Sequence, residues 1–412
     1  AAPSQPGVLP GAVLLPPAKC YSQRGLVLHL DGRENAGAGL AFDPDATVWK
    51  DLSPSGNDAN LTANGDFEDG TFGLQMKIAD KNVYYAAVTK ANLTAGLTAE
   101  CLVKPTGGDP NTITTVWGGG GSNGDNIPLA RARFKNNSFC FDDENVIWKS
   151  GALLGSAHQI ALRSTDGVRW TGWNDGSATT ASYAPGDIVK PAPMALGGFT
   201  GWPRRLTGTI YAMRAYDRPL HELEMKANAI LDHVRFEGAN PMTAAWPDGF
   251  RYDPTTGEIL VHVQLLAQNG LLVSLNGGAP SDSIDAWIAR GTAYEAKVVA
   301  DGGEFEKWTD SLEELTDQES RSETLTACAD MPRELVASKP IRPLGRGDWR
   351  RFRHESKITF ANCGIAASAH FINDRRHPIR HGILRDRSCK DIRIGDTVFI
   401  RKAGEIIPEV LR

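Results

Sequence analysis

The chain has 412 residues, 41% of them hydrophobic and 23% charged, so it can hold two or three domains with substantial cores. Its 43 glycines and 10 tryptophans favour an all-β chain with many turns. No stretch reaches the roughly 20 consecutive apolar residues that a membrane-spanning helix needs.

The net charge of −5 hides an uneven distribution of charge. Residues 340–412 contain 16 Lys and Arg against 8 Asp and Glu, so the rest of the chain is acidic. The two parts therefore need not share a partner. Residues 1–21 are rich in Pro, Ala and Gly, begin at Ala1 and lack the basic start of a signal peptide. We interpret them as a linker left after processing.

The first ordered stretch combines a strand with two turn motifs. In Leu26–Asp31 the leucines alternate with other residues at the two-residue period of a sheet. The motif Trp-Lys-Asp-Leu-Ser follows at residues 49–53, and Gly-Asn-Asp-Ala at residues 56–59. A further apolar strand is predicted at residues 208–216, before a helix with one apolar face. That face is formed by Leu220, Leu223, Ala227, Ile230, Leu231 and Val234.

These motifs resemble bacterial laminin-G-like domains of the concanavalin-A-like lectin and glucanase superfamily. The resemblance covers about residues 22–237 and implies a two-sheet antiparallel jelly roll. We expect this span to fold alone.

A hairpin with nearby tryptophans is the predicted ligand site of the jelly roll. A strand that contains Trp170 and Trp173 closes on Asn174-Asp175-Gly176, a strong hairpin signal. Lectin-like sites combine aromatic rings with amides and carboxylates, so the predicted ligand-binding residues are Trp170, Trp173, Asn174, Asp175 and Trp202. Because Trp170 and Trp173 point to opposite faces of the strand, at most one is expected in the core.

Metal and disulfide signals are sparse. Asp43 and Asp45 are a candidate pair of calcium ligands, because carboxylate oxygens suit that ion. An ordinary loop is the competing interpretation. No other cofactor is expected. The six cysteines form no C-x-x-C pair, and whether Cys101 and Cys140 pair is left open.

Two further segments follow the predicted linker at residues 238–249. Residues 250–312 resemble a bacterial surface repeat of the internalin B-repeat type, a small β module. Residues 313–412 are predicted to be a poorly packed basic tail.

Within that tail, residues 383–412 resemble a segment of the OB-fold domain of NAD-dependent DNA ligases. The resemblance implies contacts of Lys402, Ile406 and Ile407 with a DNA duplex. We expect residues 391–400 to form at most an isolated hairpin or an edge strand.

Catalysis is predicted to be absent. Retaining glucanases need paired carboxylates on one strand face, about 5 Å apart, and no such pattern is found. A ligase needs a Lys-x-Asp-Gly nucleophile, which the sequence does not contain.

The combined prediction is a mostly-β, non-enzymatic, secreted or cell-surface binding or adhesion protein. Its jelly roll is expected to bind carbohydrate, and the small β module and basic tail follow it. One alternative is a nucleic-acid-associated protein that works through the basic tail. Another is a degenerate glycoside hydrolase.

Overall fold

The computed structural model describes most of the first 339 residues and parts of the remainder. The described ranges are 13–61, 67–68, 71–76, 84–86, 96–107, 114–119, 132–135, 138–141, 145–149, 154–166, 169–183, 194–198, 206–268, 270–299, 305–339, 358–359, 368–369, 397–403 and 407–411. The chain divides into two compact units, Ala1–Lys339 and Pro340–Arg412.

The first unit begins with a β-sandwich. Its strands in chain order are β1 (Leu26–Asp31), β2 (Val48–Trp49), β3 (Ala59–Asn60), β4 (Phe67–Glu68), β5 (Gly73–Met76), β6 (Tyr84–Ala86), β7 (Leu97–Gly107), β8 (Thr114–Gly119), β9 (Ala132–Lys135), β10 (Ser138–Phe141), β11 (Asn145–Lys149), β12 (His158–Ser164), β13 (Trp170–Asn174), β14 (Ser177–Tyr183), β15 (Met194–Leu196) and β16 (Thr207–Tyr216). Short 3₁₀ turns lie at Ala18–Cys20 and Gly32–Glu34.

These strands form two eight-stranded sheets. Sheet I has the order β14-β13-β12-β7-β16-β5-β4, with β1 also paired to β16, and sheet II has the order β11-β10-β9-β8-β15-β6-β3-β2. Among the described residues the pairs in both sheets are antiparallel. The mostly-β sandwich predicted from the sequence is confirmed.

Strands β1 and β16, both predicted from the sequence, pair with each other. Leu30 in β1 lies opposite Met213 in β16, and Asp31 lies opposite Ala212. Leu28 and Leu30 are fully buried in the core between the sheets. The burial of each leucine contributes about 2 kcal/mol, so the alternation in β1 fixes which face of sheet I points inward.

Helix α1 (Glu222–Glu237) packs on the outer face of sheet I. Its predicted apolar face is confirmed at Leu231 and Val234, which are buried. The helix also buries a polar stripe at every fourth residue, formed by Glu224, Asn228 and Asp232. Buried polar groups need partners, so the outer face of sheet I must supply them.

The central partner of that stripe is Arg214 of β16. Its guanidinium donates two hydrogen bonds to the Asp232 carboxylate, at 2.8 and 2.6 Å, and one to Glu100 Oε2 at 3.0 Å. Tyr21 donates from its hydroxyl to Asp232 Oδ1 at 2.6 Å. Arg214 is completely buried, and its pKa lies well above the ordinary value, since these acidic neighbours outweigh the effect of burial.

The first unit continues with a small β module. Its elements are β17 (Phe250–Tyr252), β18 (Ile259–Ala267), β19 (Leu272–Leu275), β20 (Ser283–Ala289), β21 (Ala293–Val299), β22 (Lys307–Asp310), α2 (Asp317–Ser320), β23 (Thr324–Cys328) and β24 (Arg333–Ser338). Sheet III has the order β17-β18-β24-β22, with β20 also paired to β18, and sheet IV has the order β19-β21-β23. The strands of this module extend to Ser338, whereas the sequence-based boundary lies at residue 312.

The sandwich and the module share buried contacts. Cys20 and Tyr21 form one apolar cluster with Phe250, Ile259 and Met331. Arg290, fully buried at the end of β20, donates to the Cys20 carbonyl at 3.2 Å, the Ser22 hydroxyl at 3.0 Å and the Asp330 carbonyl at 3.0 Å. These contacts argue against independent folding of residues 22–237. Whether this span folds alone is a question that a folding experiment answers.

The described part of the second unit is a four-stranded sheet. Its strands are β25 (Ile358–Thr359), β26 (Ser368–Ala369), β27 (Thr397–Ala403) and β28 (Ile407–Leu411), in that order. Strand β27 pairs antiparallel with β28 and parallel with β26. Within β27, Thr397 and Val398 pair with β26, and the residues from Phe399 to Ala403 pair with β28. Each described residue of this strand is thus paired on one side, and the expectation of an isolated hairpin or an edge strand at residues 391–400 stays a prediction.

We predict that Asp232→Asn lowers the free energy of unfolding by about 3–5 kcal/mol, because it leaves Arg214 buried with one carboxylate partner fewer. Urea unfolding of the full chain, followed by tryptophan fluorescence, measures this change. The control is Asp317→Asn, which removes an exposed carboxylate paired with Arg321 and should change stability by less than about 0.5 kcal/mol. Equal, small effects of both substitutions would contradict the prediction.

Candidate functional site

Both described tryptophans of the predicted ligand site are buried. Trp170 is fully buried in the core between the sheets. Trp173, on the opposite face of β13, is 3% exposed and packs with Tyr216 and Met225. The expectation that at most one of them lies in the core is wrong, because helix α1 covers the outer face of sheet I. Neither ring presents a face to solvent.

Asn174 and Asp175 lie at the predicted hairpin between β13 and β14. Asp175 and Gly176 both have positive φ angles, of 45° and 72°, as a two-residue hairpin loop requires. The Asp175 carboxylate accepts a hydrogen bond from the Gln159 N–H at 2.8 Å and lies 3.1 Å from His233 Nε2 of helix α1. The Asn174 side-chain amide donates to Asp175 Oδ2 at 3.0 Å. Asp175 thus joins the hairpin tip to the helix.

The remaining predicted binding residues lie partly outside the described residues. Trp202 and Ile406 fall there. Lys402 lies opposite Pro408, and Ile407 opposite Ala403, in the β27–β28 pair. Only the backbone of these strands is described, so their contact with DNA stays a prediction.

The calcium candidates lie in an exposed loop. Asp43 and Asp45 are both exposed, and Asp43 Oδ1 accepts a hydrogen bond from the Asp45 N–H at 3.0 Å. This is a local turn in which one aspartate caps the other. Among the described residues, no three His, Cys, Asp or Glu side chains are placed to hold a metal ion together.

The cysteines of the described ranges form no disulfide bond with one another. Cys101 lies in β7 of sheet I and Cys140 in β10 of sheet II, both are buried, and no disulfide bond joins them. Burial raises the pKa of the Cys101 thiol. In the part of the chain that the structure describes, no helix is long and apolar enough to cross a membrane.

The motif residues behind the family resemblance have a structural role. Asp51 Oδ1 accepts hydrogen bonds from the His29 N–H at 2.7 Å and the Ser53 N–H at 2.9 Å. Asp51 Oδ2 accepts from the Asn57 N–H at 2.6 Å. Trp49 donates from Nε1 to the Asp31 carbonyl at 3.0 Å. The motif therefore holds the first loop against β1 and identifies a fold rather than a ligand.

An aromatic surface that sequence reasoning missed lies on the outer face of sheet III. We call it the Trp287 face. It is formed by Arg251, Leu260, His262, Gln264, Asp285 and Trp287. Alternate residues of β18 are buried in the pattern Ile259, Val261, Val263 and Leu265, so the residues between them point outward.

Three strands bring the side chains of this face together. His262 of β18 lies directly opposite Trp287 of β20, and Leu260 of β18 lies opposite Arg251 of β17. The Arg251 guanidinium lies over the Trp287 ring, 4.1 Å from its centroid. The His262 ring centroid lies 5.2 Å from that of Trp287, with the ring planes tilted by 42°. These contacts hold the indole in place.

Trp287 is nevertheless open to solvent. It is 36% exposed and is the only tryptophan among the exposed large apolar side chains of the described residues. His262 Nε2 and Asp285 Oδ1 are 2.7 Å apart, and Gln264 lies opposite Asp285. The face thus combines an apolar ring with a carboxylate, an imidazole and an amide, all partly exposed.

The sequence did carry a signal for this face. In Ser283–Ala289 the polar or exposed residues Ser283, Asp285 and Trp287 alternate with less exposed ones. A tryptophan on the polar side of such an alternation is unusual. The partners Arg251 and His262 could not be assigned, because the strand pairing that joins them is a long-range property of the fold.

Comparisons with known proteins bear on the fold. No known family profile and no curated protein sequence matches the chain. Among solved structures, Trypanosoma rangeli sialidase matches at 15% identity and a TM-score of 0.38, over 52% of this chain and 33% of the sialidase. The chain thus spans about a third of the length of that enzyme.

Two toxin binding domains match over longer stretches. The binding domain of Paraclostridial Mosquitocidal Protein 1 matches at 10% identity and a TM-score of 0.39, over 66% of this chain and 75% of that domain. The binding domain of Botulinum neurotoxin DC, solved with rat synaptotagmin II, matches at 8% identity and a TM-score of 0.39, over 68% and 73%. At these identities and TM-scores the likeness assigns neither a family nor a ligand. The β-sandwich is shown by the strand pairing of the chain itself.

These comparisons correct the prediction that the chain is not an enzyme. The matched structures include sialidases. The missing carboxylate pair excludes only one kind of chemistry, because some glycoside hydrolases, sialidases among them, use a tyrosine nucleophile. The prediction that catalysis is absent therefore does not hold.

The Asp175–His233 contact should give stability a measurable pH dependence. Hydrogen bonds with Asp175 and Glu237 outweigh burial and raise the pKa of His233 from 6.5 to about 10. A group whose pKa is raised on folding contributes its full stability below the ordinary value and loses it as pH rises through the raised value.

We therefore predict that between pH 6.5 and 10 the free energy of unfolding falls more steeply for the wild-type protein than for His233→Gln. Chemical unfolding at a series of pH values measures both slopes. Parallel slopes would show that His233 does not titrate in this contact.

Proposed function

We propose that this chain is an extracellular binding or adhesion protein that binds carbohydrate through the Trp287 face. In this proposal a laminin-G-like jelly roll is followed by a B-repeat-like module, and the protein is secreted or held at the cell surface. The single observation that carries the proposal is the partly exposed indole of Trp287, which Arg251 and His262 contact.

The chemistry of the Trp287 face suits a sugar. A pyranose has one apolar C–H face and a rim of hydroxyl groups, and an indole that is apolar but solvent-exposed can cover the first. Asp285 can accept hydrogen bonds from hydroxyl groups, and Gln264 can both donate and accept. Because these side chains lie on paired strands, little conformational entropy is lost when a ligand binds.

The position of the site differs from that predicted on the jelly roll. Trp170 and Trp173 are buried, and Asp175 is engaged by His233. In this proposal the binding site lies on the small β module, and the sandwich has a structural role. The lectin-like class of the sandwich is compatible with this proposal but does not specify a ligand.

We predict that Trp287→Ala lowers the affinity of the full chain for its best saccharide at least about tenfold, equivalent to about 1.4 kcal/mol. The ligand is first identified on a glycan array, and affinity is then measured by isothermal titration calorimetry. Trp287→Phe should retain most of the binding, because it keeps an aromatic surface.

The matched control is Met242→Ala, which removes another exposed apolar side chain, 59% exposed and outside this face. It should leave affinity unchanged. Absence of any bound saccharide on the array, or equal affinities of Trp287→Ala and wild type, would contradict the proposal.

A further inference from the structure

The Trp287 face is electrically polarised along β18. At one end Leu260 lies opposite Arg251, and at the other Gln264 lies between Asp285 and Glu334 on the two neighbouring strands. The four steps along the strand from Leu260 to Gln264 span about 13 Å. Trp287, opposite His262, lies between the two ends. The face therefore has a cationic end, an aromatic centre and an acidic end.

Arg251 at the cationic end has no carboxylate partner among the described residues. The ion pairs of the described chain include Arg24, Arg214, Arg218, Arg235, Arg321 and Arg333 but not Arg251. The nearby carboxylate of Asp253 accepts hydrogen bonds from the Thr255 N–H and the Thr256 hydroxyl, both at 2.9 Å. Arg251 is exposed, and the contact described for its guanidinium is with the Trp287 ring.

A guanidinium has five N–H donors in a planar fork, and one that contacts an indole through its carbon can still form paired hydrogen bonds to an anionic group. The acidic end has no such unpaired charge at Asp285, because the Asp285 carboxylate is paired with His262. An anionic group on a ligand is therefore attracted to one end of the Trp287 face, and neutral hydroxyl groups fit the other.

We propose that the Trp287 face selects an acidic saccharide, whose carboxylate or sulfate group binds Arg251 while its ring lies against Trp287. This inference rests on the proposed carbohydrate binding and specifies its substrate class. Carboxylated and sulfated sugars share the anionic group that Arg251 recognises, and the experiment separates them.

The test compares three tetrasaccharide probes with the full chain. They are oligogalacturonate, its fully methyl-esterified form, in which each carboxylate becomes a neutral ester, and a sulfated oligosaccharide of equal length that contains no carboxylate. Calorimetric titration at low and at physiological salt measures each affinity. We expect at least one anionic probe to bind at least about tenfold more tightly than the methyl ester, and this preference to shrink as salt rises.

Variants assign the preference to one side chain. Arg251→Gln should bring the anionic and neutral probes to similar affinity. Arg251→Lys keeps the charge but not the flat, paired donors, and should retain only part of the preference. Arg321→Gln, which removes an exposed arginine from the same module, should leave the preference intact. Circular dichroism and thermal unfolding verify that each variant is folded.

The failures of the two proposals are distinguishable. If the methyl ester binds as tightly as the anionic probes, or if Arg251→Gln keeps the preference, the acidic-ligand inference is overturned while carbohydrate binding stands. If none of the probes binds, no glycan is retained on the array and Trp287→Ala changes nothing, the proposed function itself falls.

Discussion

The buried ion cluster under helix α1 is the constraint on which the rest of the first unit depends. Arg214, Asp232 and Glu100 are all fully buried, so each carries a large desolvation cost that only its partners offset. Burial raises the pKa of the Glu100 carboxyl, although Arg214 acts in the opposite direction. Because a shift of the helix along sheet I would leave these buried charges unpaired, the cluster fixes one register of helix α1 on the sheet.

The same helix positions the residues that join the sandwich to the small β module. Tyr21 packs its ring 4.0 Å from the Arg214 guanidinium carbon and donates from its hydroxyl to Asp232. Its neighbour Ser22 accepts a hydrogen bond from Arg290, and Asp330 accepts from the Gln23 N–H at 2.7 Å. The segment from Tyr21 to Gln23 thus contacts the Arg214–Asp232 pair of the sandwich and helix α1, and also Arg290 and Asp330 of the module.

The Trp287 face depends on this junction through strand β17. Phe250 points into the shared apolar cluster, where the Arg290 guanidinium lies 5.3 Å from its ring. Its neighbour Arg251 must then point to the opposite side of the strand, over Trp287. The geometry of the proposed binding face is therefore set by packing on the other side of the same sheet.

Part of this structure could be predicted from the sequence, and the reasons for the rest are physical. The alternation in Leu26–Asp31 and the Asp175-Gly176 turn are local signals, and both predictions are confirmed. The burial of Trp173 could not be predicted, because the helix that covers it lies about 50 residues away along the chain. The polar stripe of α1 looks solvent-exposed until its partners Arg214 and Glu100 are known. The Trp287 face depends on strand register between distant segments.

One calorimetric experiment tests most directly whether the sandwich, helix α1 and the module form one cooperative body. Thermal unfolding of residues 13–339 is compared for the wild-type sequence and Arg290→Ala. If the buried junction couples the parts, the wild type unfolds in a single transition, whose calorimetric and van't Hoff enthalpies agree. Arg290→Ala should then unfold at lower temperature, with the sandwich and module transitions separated. Two separate transitions in the wild type, unchanged by Arg290→Ala, would contradict the account.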